Sequence, residues 1–232
     1  MAEPGFLKSI AAALAENGLV LRGGFDFAKD EDAPAGIRSE PAKSVLLVGQ
    51  RGAGNWNHFN KWLQKFKNKP ENPLDTWSRE VICVVAADCS ARAVFPSDKP
   101  WLPFQQWASR AEGLRPSPLG ILIHPEFGLW HAYRGALLFD DVIGLPQPPK
   151  SSHPCDDCED KPCLITCPVS AISLNGYDVA GCAGHVSTAD DGHCRNTGCL
   201  ARNSCPVGAN YRYPAEVQAF HMAAFLANNT PN

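Results

Sequence analysis

Residues 153–168 read HPCDDCEDKPCLITCP, and residues 182–206 read CAGHVSTADDGHCRNTGCLARNSCP. Eight of the ten cysteines lie in these two runs: Cys155, Cys158, Cys163, Cys167, Cys182, Cys194, Cys199 and Cys205. The first quartet is spaced C-x2-C-x4-C-x3-C before Pro168, the second C-x11-C-x4-C-x5-C before Pro206. A cubane iron–sulfur cluster needs four thiolates converging on one small inorganic core. Tight spacing lets a single loop supply three of them. In two-cluster proteins with such a run, the fourth cysteine ligates the other cluster. The proline after it fixes φ and removes a donor, so the chain turns away. The pattern predicts two 4Fe-4S clusters with crossed ligation. One takes Cys155, Cys158, Cys163 and Cys205; the other takes Cys167, Cys182, Cys194 and Cys199. The wider second quartet keeps a single cluster with spare thiols as an alternative.

Zinc also takes four thiolates, and His153, His185 and His193 are nearby in sequence. Structural zinc sites typically use two separated C-x2-C knuckles, and only one C-x2-C occurs here. Disulfides belong to oxidising compartments. The N-terminal sequence MAEPGFLKSIAAALAENGLV reads as an amphipathic helix over residues 6–16, with too many charges for a signal peptide. Thiolate ligands favour a reducing compartment, so the expected location is cytoplasmic.

Length and composition bound the rest. A chain of 232 residues allows one domain plus a small one. Its 44% apolar and 19% charged residues are ordinary for a soluble globular protein. The net charge of −3 gives no electrostatic case for a nucleic-acid partner. No apolar run approaches the roughly 20 residues of a membrane span.

Ahead of the cysteines the chain reads as mixed helix and strand. Residues 19–27 and 44–48 are apolar enough for buried strands. GQRGAGNW (residues 49–56) is neither a dinucleotide fingerprint nor a Walker loop, and reads as a strand-to-helix turn. Asn55 would cap a helix through residue 67, with Trp56, Phe59, Trp62, Leu63 and Phe66 as a core-facing stripe. Residues 74–87 carry helical periodicity against a β-branched run that favours strand. Cys83 and Cys89 beside it read as small buried residues. Val94 and Phe95 suggest an edge strand, and residues 102–112 a helix. Residues 119–124 and 129–139 read as the two strands of a hairpin. Residues 146–150 (PQPPK) form a stiff linker. A last helix follows Pro214, with His221 as a core histidine.

Residues 120–149, GILIHPEFGLWHAYRGALLFDDVIGLPQPP, resemble the cobalamin-processing chaperones of the methylmalonic aciduria type C family. That family carries Ile-His-Pro-Arg-Phe-Gly-Gly-Trp running into Arg-Gly. The matching residues here are Ile123, His124, Pro125, Phe127, Gly128, Trp130, Arg134 and Gly135; Glu126 and Leu129 depart. The Arg212–Tyr213 pair with the helix after it, and Asn72-Pro73-Leu74-Asp75, are similar to further family features. The cysteine region is similar to that of epoxyqueuosine reductases, which join a cobalamin-binding nitroreductase-like domain to a two-cluster ferredoxin module.

These resemblances imply an α+β fold: a nitroreductase-like antiparallel sheet with flanking helices (residues 1–150), a small ferredoxin-like iron–sulfur domain (151–210), and a C-terminal helix (211–232) packing back on the first domain. They imply an oxidoreductase that passes electrons to bound cobalamin and removes its upper ligand. Phe127, Trp130 and Tyr133 would wall the corrin, and His124 and Arg134 would donate to its amides, with Gly128 and Gly135 in the same segment. FMN or FAD is the lesser cofactor expectation. The expected partners are an electron-donor protein or flavin reductase and a small-molecule corrinoid. The lower-ligand motif D-x-H-x-x-G is absent, so no protein histidine is expected below cobalt. The alternatives are a ferredoxin-type carrier without cobalamin and an epoxyqueuosine-reductase-like enzyme.

Overall fold

The structure is a computed structural model and describes residues 4–148, 152–188 and 193–229. In chain order the elements are α1 (Pro4–Ala15), β1 (Val20–Asp26), β2 (Ser44–Arg51), α2 (Trp56–Leu63), α3 (Pro73–Asp88), β3 (Arg92–Val94), α4 (Phe104–Glu112), β4 (Arg115–Pro116), β5 (Leu122–Ile123), β6 (His131–Phe139), α5 (Pro162–Ile165), β7 (Ile172–Ser173), β8 (Gly176–Tyr177), α6 (Val179–Thr188), α7 (His193–Thr197), α8 (Leu200–Asn203) and α9 (Ala215–Asn229). The chain divides into two compact units, Met1–Gly113 with Ala132–Lys150, and Leu114–His131 with Ser151–Asn232.

The first unit is built on a four-stranded sheet of order β1-β2-β6-β3. β1 pairs antiparallel with β2, and β3 pairs antiparallel with β6. All of β2 but Arg51 is buried, as its apolar run requires. Helical period wins over β-propensity in α3. Leu74, Trp77, Ser78, Ile82, Val85 and Ala86 bury one face, while Val84 on the other is 63% exposed. The α+β class therefore stands.

Several expectations change. Asn55 sits at the N-cap of α2 but makes no capping hydrogen bond there. α2 stops at Leu63, so Phe66 lies beyond it and is exposed; only Phe59 of the stripe is fully buried. Cys83 is exposed on α3, because it falls on the solvent face. The expected hairpin is not one. β5 pairs with β4, and β6 pairs into the large sheet. An apolar alternation reports burial but does not name a strand's partner.

The second unit is made of short pieces. β4–β5 and β7–β8 are two-stranded, and α5 and α8 have four residues each. α9 groups with this unit and lies against α6 and α7. Residues 114–131 also group with the cysteine segment instead of with residues 1–113. The last two residues of the PQPPK linker, and Asp191 and Gly192, lie outside the described residues. Among the described residues no helix is long and apolar enough to cross a membrane.

Candidate functional site

All ten cysteines are free thiols. Cys155, Cys158, Cys163 and Cys205 line one small cavity whose other walls include Leu119, Ile123, Leu129, Pro162 and Val207. Among the described residues no carboxylate lines it. The loop before α5 is held by Lys161, which adopts a left-handed backbone with φ of 38°. Its Nζ donates to the carbonyl oxygens of Cys155 (3.1 Å) and Cys158 (2.8 Å). Pro162 then starts α5 and turns Cys163 inward.

Cys205 reaches this cavity from a distant part of the sequence. It packs in one apolar cluster with Ile123 and Leu129. Two glycines fix that approach. A Cβ on Gly128 would lie 1.9 Å from the Val207 carbonyl oxygen, and one on Gly208 would lie 2.2 Å from the Phe127 carbonyl carbon. Both have positive φ, 58° and 68°, so glycine is required twice over. The segment resembling the cobalamin chaperones thus helps to build the thiol cavity.

Burial first, then the neighbouring Cys205, Cys163 and Cys158, push the Cys155 thiol up to about 11. Burial also pushes Cys163 and Cys205 up. Cys155, Cys163 and Cys205 therefore resist ionisation unless a cationic core supplies compensating charge.

The other four form a second electrostatic group. Cys182 and Cys199 are pushed up mainly by burial, with Cys194 adding to both; Cys167 adds to Cys182, and Cys182 to Cys199. Tyr177 is pushed up by burial first, then by the hydrogen bond it donates to Cys182 and by the charges of Cys182, Cys199 and Cys167. Backbone donors reach the sulfurs. The Ala171 amide lies 3.3 Å from Cys167 Sγ, and the amides of Arg202 and Ala201 serve Cys199. Cys155, Cys158, Cys163 and Cys205 thus share one cavity, while Cys167, Cys194 and Cys199 act on Cys182 or on one another through their charges.

Among the described residues no three His, Cys, Asp or Glu side chains close on a point as the ligands of a single metal ion would. A cubane spreads its thiolates over a larger tetrahedron than one ion does, and an all-thiol donor set suits soft iron–sulfur chemistry. His153 is held below the usual imidazole range, by burial first and then by Arg115. The all-thiol set lining the cavity fits a soft iron–sulfur group better than it fits a mixed zinc site.

The seven other candidates separate into two environments. In the second unit, His124 stacks on Phe127 at 4.0 Å, and its Nδ1 accepts from the amides of Glu126 (3.0 Å) and Phe127 (3.1 Å). That contact builds the turn and leaves the proton on Nε2. Trp130 is fully buried, with the Arg202 guanidinium 4.4 Å from its ring and Tyr213 edge-on at 5.4 Å. Phe127 is 8% exposed and Gly128 is buried.

In the first unit, the Tyr133 hydroxyl donates to Glu112, which is clamped by Arg22 at 3.0 and 2.9 Å. Tyr133 is pushed far up, mainly by burial. Arg134 Nε donates to Gln50 Oε1 at 3.0 Å, and its Nη1 lies 3.7 Å from Asp75. Gly135 lies so close to α3 that a Cβ would meet Ile82 at 3.0 Å. Sequence reasoning missed Arg22, Gln50 and Glu112. The one signal was Arg22, a charge in the middle of a strand read as apolar.

No family model matches the chain, and no curated protein matches it. Solved structures do. The C. elegans B12-trafficking protein CblC, a homologue of human MMACHC, is similar over 99% of this chain and 100% of its own, at 14% identity and a TM-score of 0.51. Epoxyqueuosine reductase from Streptococcus thermophilus is similar over 90% of this chain and 66% of its own, at 14% identity and a TM-score of 0.52. Epoxyqueuosine reductase bound to a tRNA-Tyr stem loop is similar over 91% and 66%, at 13% identity and a TM-score of 0.51. At these identities the likeness is one of fold. The chain spans just under two thirds of the reductases it resembles.

Proposed function

We propose that this chain is an iron–sulfur redox protein that delivers electrons to a bound corrinoid and so removes its upper ligand. The observation that carries the reading is the single cavity lined by Cys155, Cys158, Cys163 and the distant Cys205. Thiols placed by chance would not gather across so long a stretch of sequence. Cys167, Cys182, Cys194 and Cys199 would hold the second cluster. Bound there, a cubane cluster supplies one-electron reduction. The protein's own part is orientation and charge control. Lys161 fixes the first ligand loop. The amides of Ala171, Ala201 and Arg202 and the Tyr177 hydroxyl donate to sulfur, which sets potential.

The corrinoid half rests on fold likeness to a B12-trafficking protein and to epoxyqueuosine reductases. Tyr133 and Arg134 are its strongest side-chain candidates, because both sit half-buried beside a polar network. Trp130 favours the second reading, an electron carrier without cobalamin. Its ring is fully buried under Arg202, so it has no face to offer a corrin. The electron donor would be a redox protein or flavin reductase, and the cytoplasm is the proposed location.

Anaerobic purification followed by iron and sulfide analysis tests the cluster reading. About eight of each per chain is expected for two cubanes; stoichiometric zinc without sulfide would end it. Titrating cobalamin into the reduced, loaded protein then separates the two readings. A changed cobalamin spectrum supports the first, and an unchanged one at high protein concentration leaves the carrier.

A further inference from the structure

Among the described residues, Lys161 is the one charged side chain that lines the cavity of Cys155, Cys158, Cys163 and Cys205. Leu119, Ile123, Leu129 and Val207 make the same wall apolar. The backbone is strained to put a lysine there. Lys161 has a left-handed conformation, φ 38° and ψ 58°, immediately before Pro162. A following proline favours extended backbone, and glycine or asparagine would take a positive φ at lower cost. The side chain therefore accounts for lysine at this position. Its Nζ donates to the carbonyl oxygens of Cys155 at 3.1 Å and Cys158 at 2.8 Å. Asp157, Glu159 and Asp160 are exposed on the same loop, and Asp156 pairs with Arg115. Among the described residues no Asp or Glu pairs with Lys161, whose ammonium turns to the cysteine loop instead. The carbonyl oxygen and sulfur of one cysteine are four bonds apart, so an ammonium bonded to both oxygens lies within about 8 Å of both sulfurs.

We infer that the Lys161 ammonium is the fixed counter-charge of this cavity, and that a redox group held by Cys155, Cys158, Cys163 and Cys205 is easier to reduce because of it. The inference rests on the reading of these cysteines as cluster ligands. Four thiolates around a cubane leave a net negative charge, which each added electron increases. A cation held at a fixed distance behind apolar walls stabilises the reduced state more than the oxidised one. The two hydrogen bonds also hold the loop that carries Cys155 and Cys158. Lys161 is thus a positioning residue, and substitution can separate its charge from its grip on the loop.

The test compares two variants in the anaerobically purified whole chain. Lys161→Gln keeps an amide donor for the two carbonyls but no charge, and Lys161→Arg keeps the charge. The readouts are iron and sulfide content and a potentiometric titration followed by electron paramagnetic resonance. The signal of this cluster is the one missing from Cys205→Ser. The expected result is that Gln retains its iron and moves the potential of that signal to more negative values by at least tenfold in the reduction equilibrium, about 59 mV for one electron. Arg stays near the wild type. Loss of iron from Gln but not from Arg would also support the charge role, since both variants can donate to the carbonyls. An unchanged potential in Gln, equal shifts in both variants, a shift confined to the other signal, or loss of iron from Arg would overturn it and leave Lys161 as a loop clamp alone. Wild-type protein without iron or sulfide would sink the cluster reading itself, whatever the variants do.

Discussion

The two units solve the problem of staying folded in different ways. The first has a four-stranded sheet and long helices, and its core runs from Ile10 and Leu14 through Val45–Val48 to Leu137 and Leu138, all nearly inaccessible. Its charged interior is neutralised internally by Arg22 and Glu112. The second unit has two-residue strands and four-residue helices. It leaves Ile165, Val169, Leu174, Tyr177 and Val179 exposed. Four of its thiols gather in one cavity, and its half-buried Arg202 packs on the Trp130 ring. Small units with little apolar burial need cross-links or metals. The contrast teaches that the first unit is stabilised by burial in a sheet-based core, while the second gathers thiols in place of a large apolar core.

The sharpest way to break this contrast is to withhold iron. Iron-free protein should lose hydrogen-exchange protection in α5–α8 while the β1-β2-β6-β3 sheet stays protected. Equal protection in both units would show that the cysteine unit folds on its own burial. A smaller effect of the same kind is expected for Cys205→Ser. It should abolish the cluster that Cys155, Cys158 and Cys163 share with it and leave about half the iron. Loss of the other cluster's signal instead would reject the crossed assignment. Cys167→Ser should show the complementary loss.

Within the first unit the largest effect should come from Glu112→Ala. It leaves Arg22 buried and unpaired, at a cost of about 3–5 kcal/mol in chemical denaturation. A loss under about 1 kcal/mol would mean that water reaches Arg22. Arg134→Ala should weaken corrinoid binding by roughly 1–3 kcal/mol if a corrin amide loses its donor. Unchanged affinity in a spectral titration would confine Arg134 to its contacts with Gln50 and Asp75.

The smallest effect concerns Glu31. Burial alone would raise its pKa, but the hydrogen bond and charge of Arg110 and the Ala28 amide bring it below the usual carboxylate value. Because the folded value is depressed, this stabilisation is present above about pH 4.5 and fades as pH falls through the folded value. Glu31→Gln should therefore cost at most about 1 kcal/mol at neutral pH and nothing in strong acid. An equal cost at both would point to packing instead of charge.

Local signals carried a large part of the fold. The buried run of β2, the helical face of α3 and the helix after Pro214 were legible because periodicity and burial are written in neighbouring residues. The meeting of Cys205 with Cys155, Cys158 and Cys163 in one cavity was legible from spacing and the Cys-Pro endings. The hairpin was misread because alternation says that a strand is half-buried, not which strand it meets. Cys83 was misplaced because one residue along a helix turns a side chain from core to solvent.

By itself, then, the sequence determined the α+β class and most helices, since each follows from short-range pattern and chemistry. Tertiary structure alone decided that residues 114–131 join the cysteine unit, that Gly128 and Gly208 cross at backbone contact, and that the Arg202 guanidinium lies on the Trp130 ring. Such facts depend on which distant segments share a volume. Burial, electrostatic pairing and steric limits act between atoms close in space, and sequence distance does not enter them.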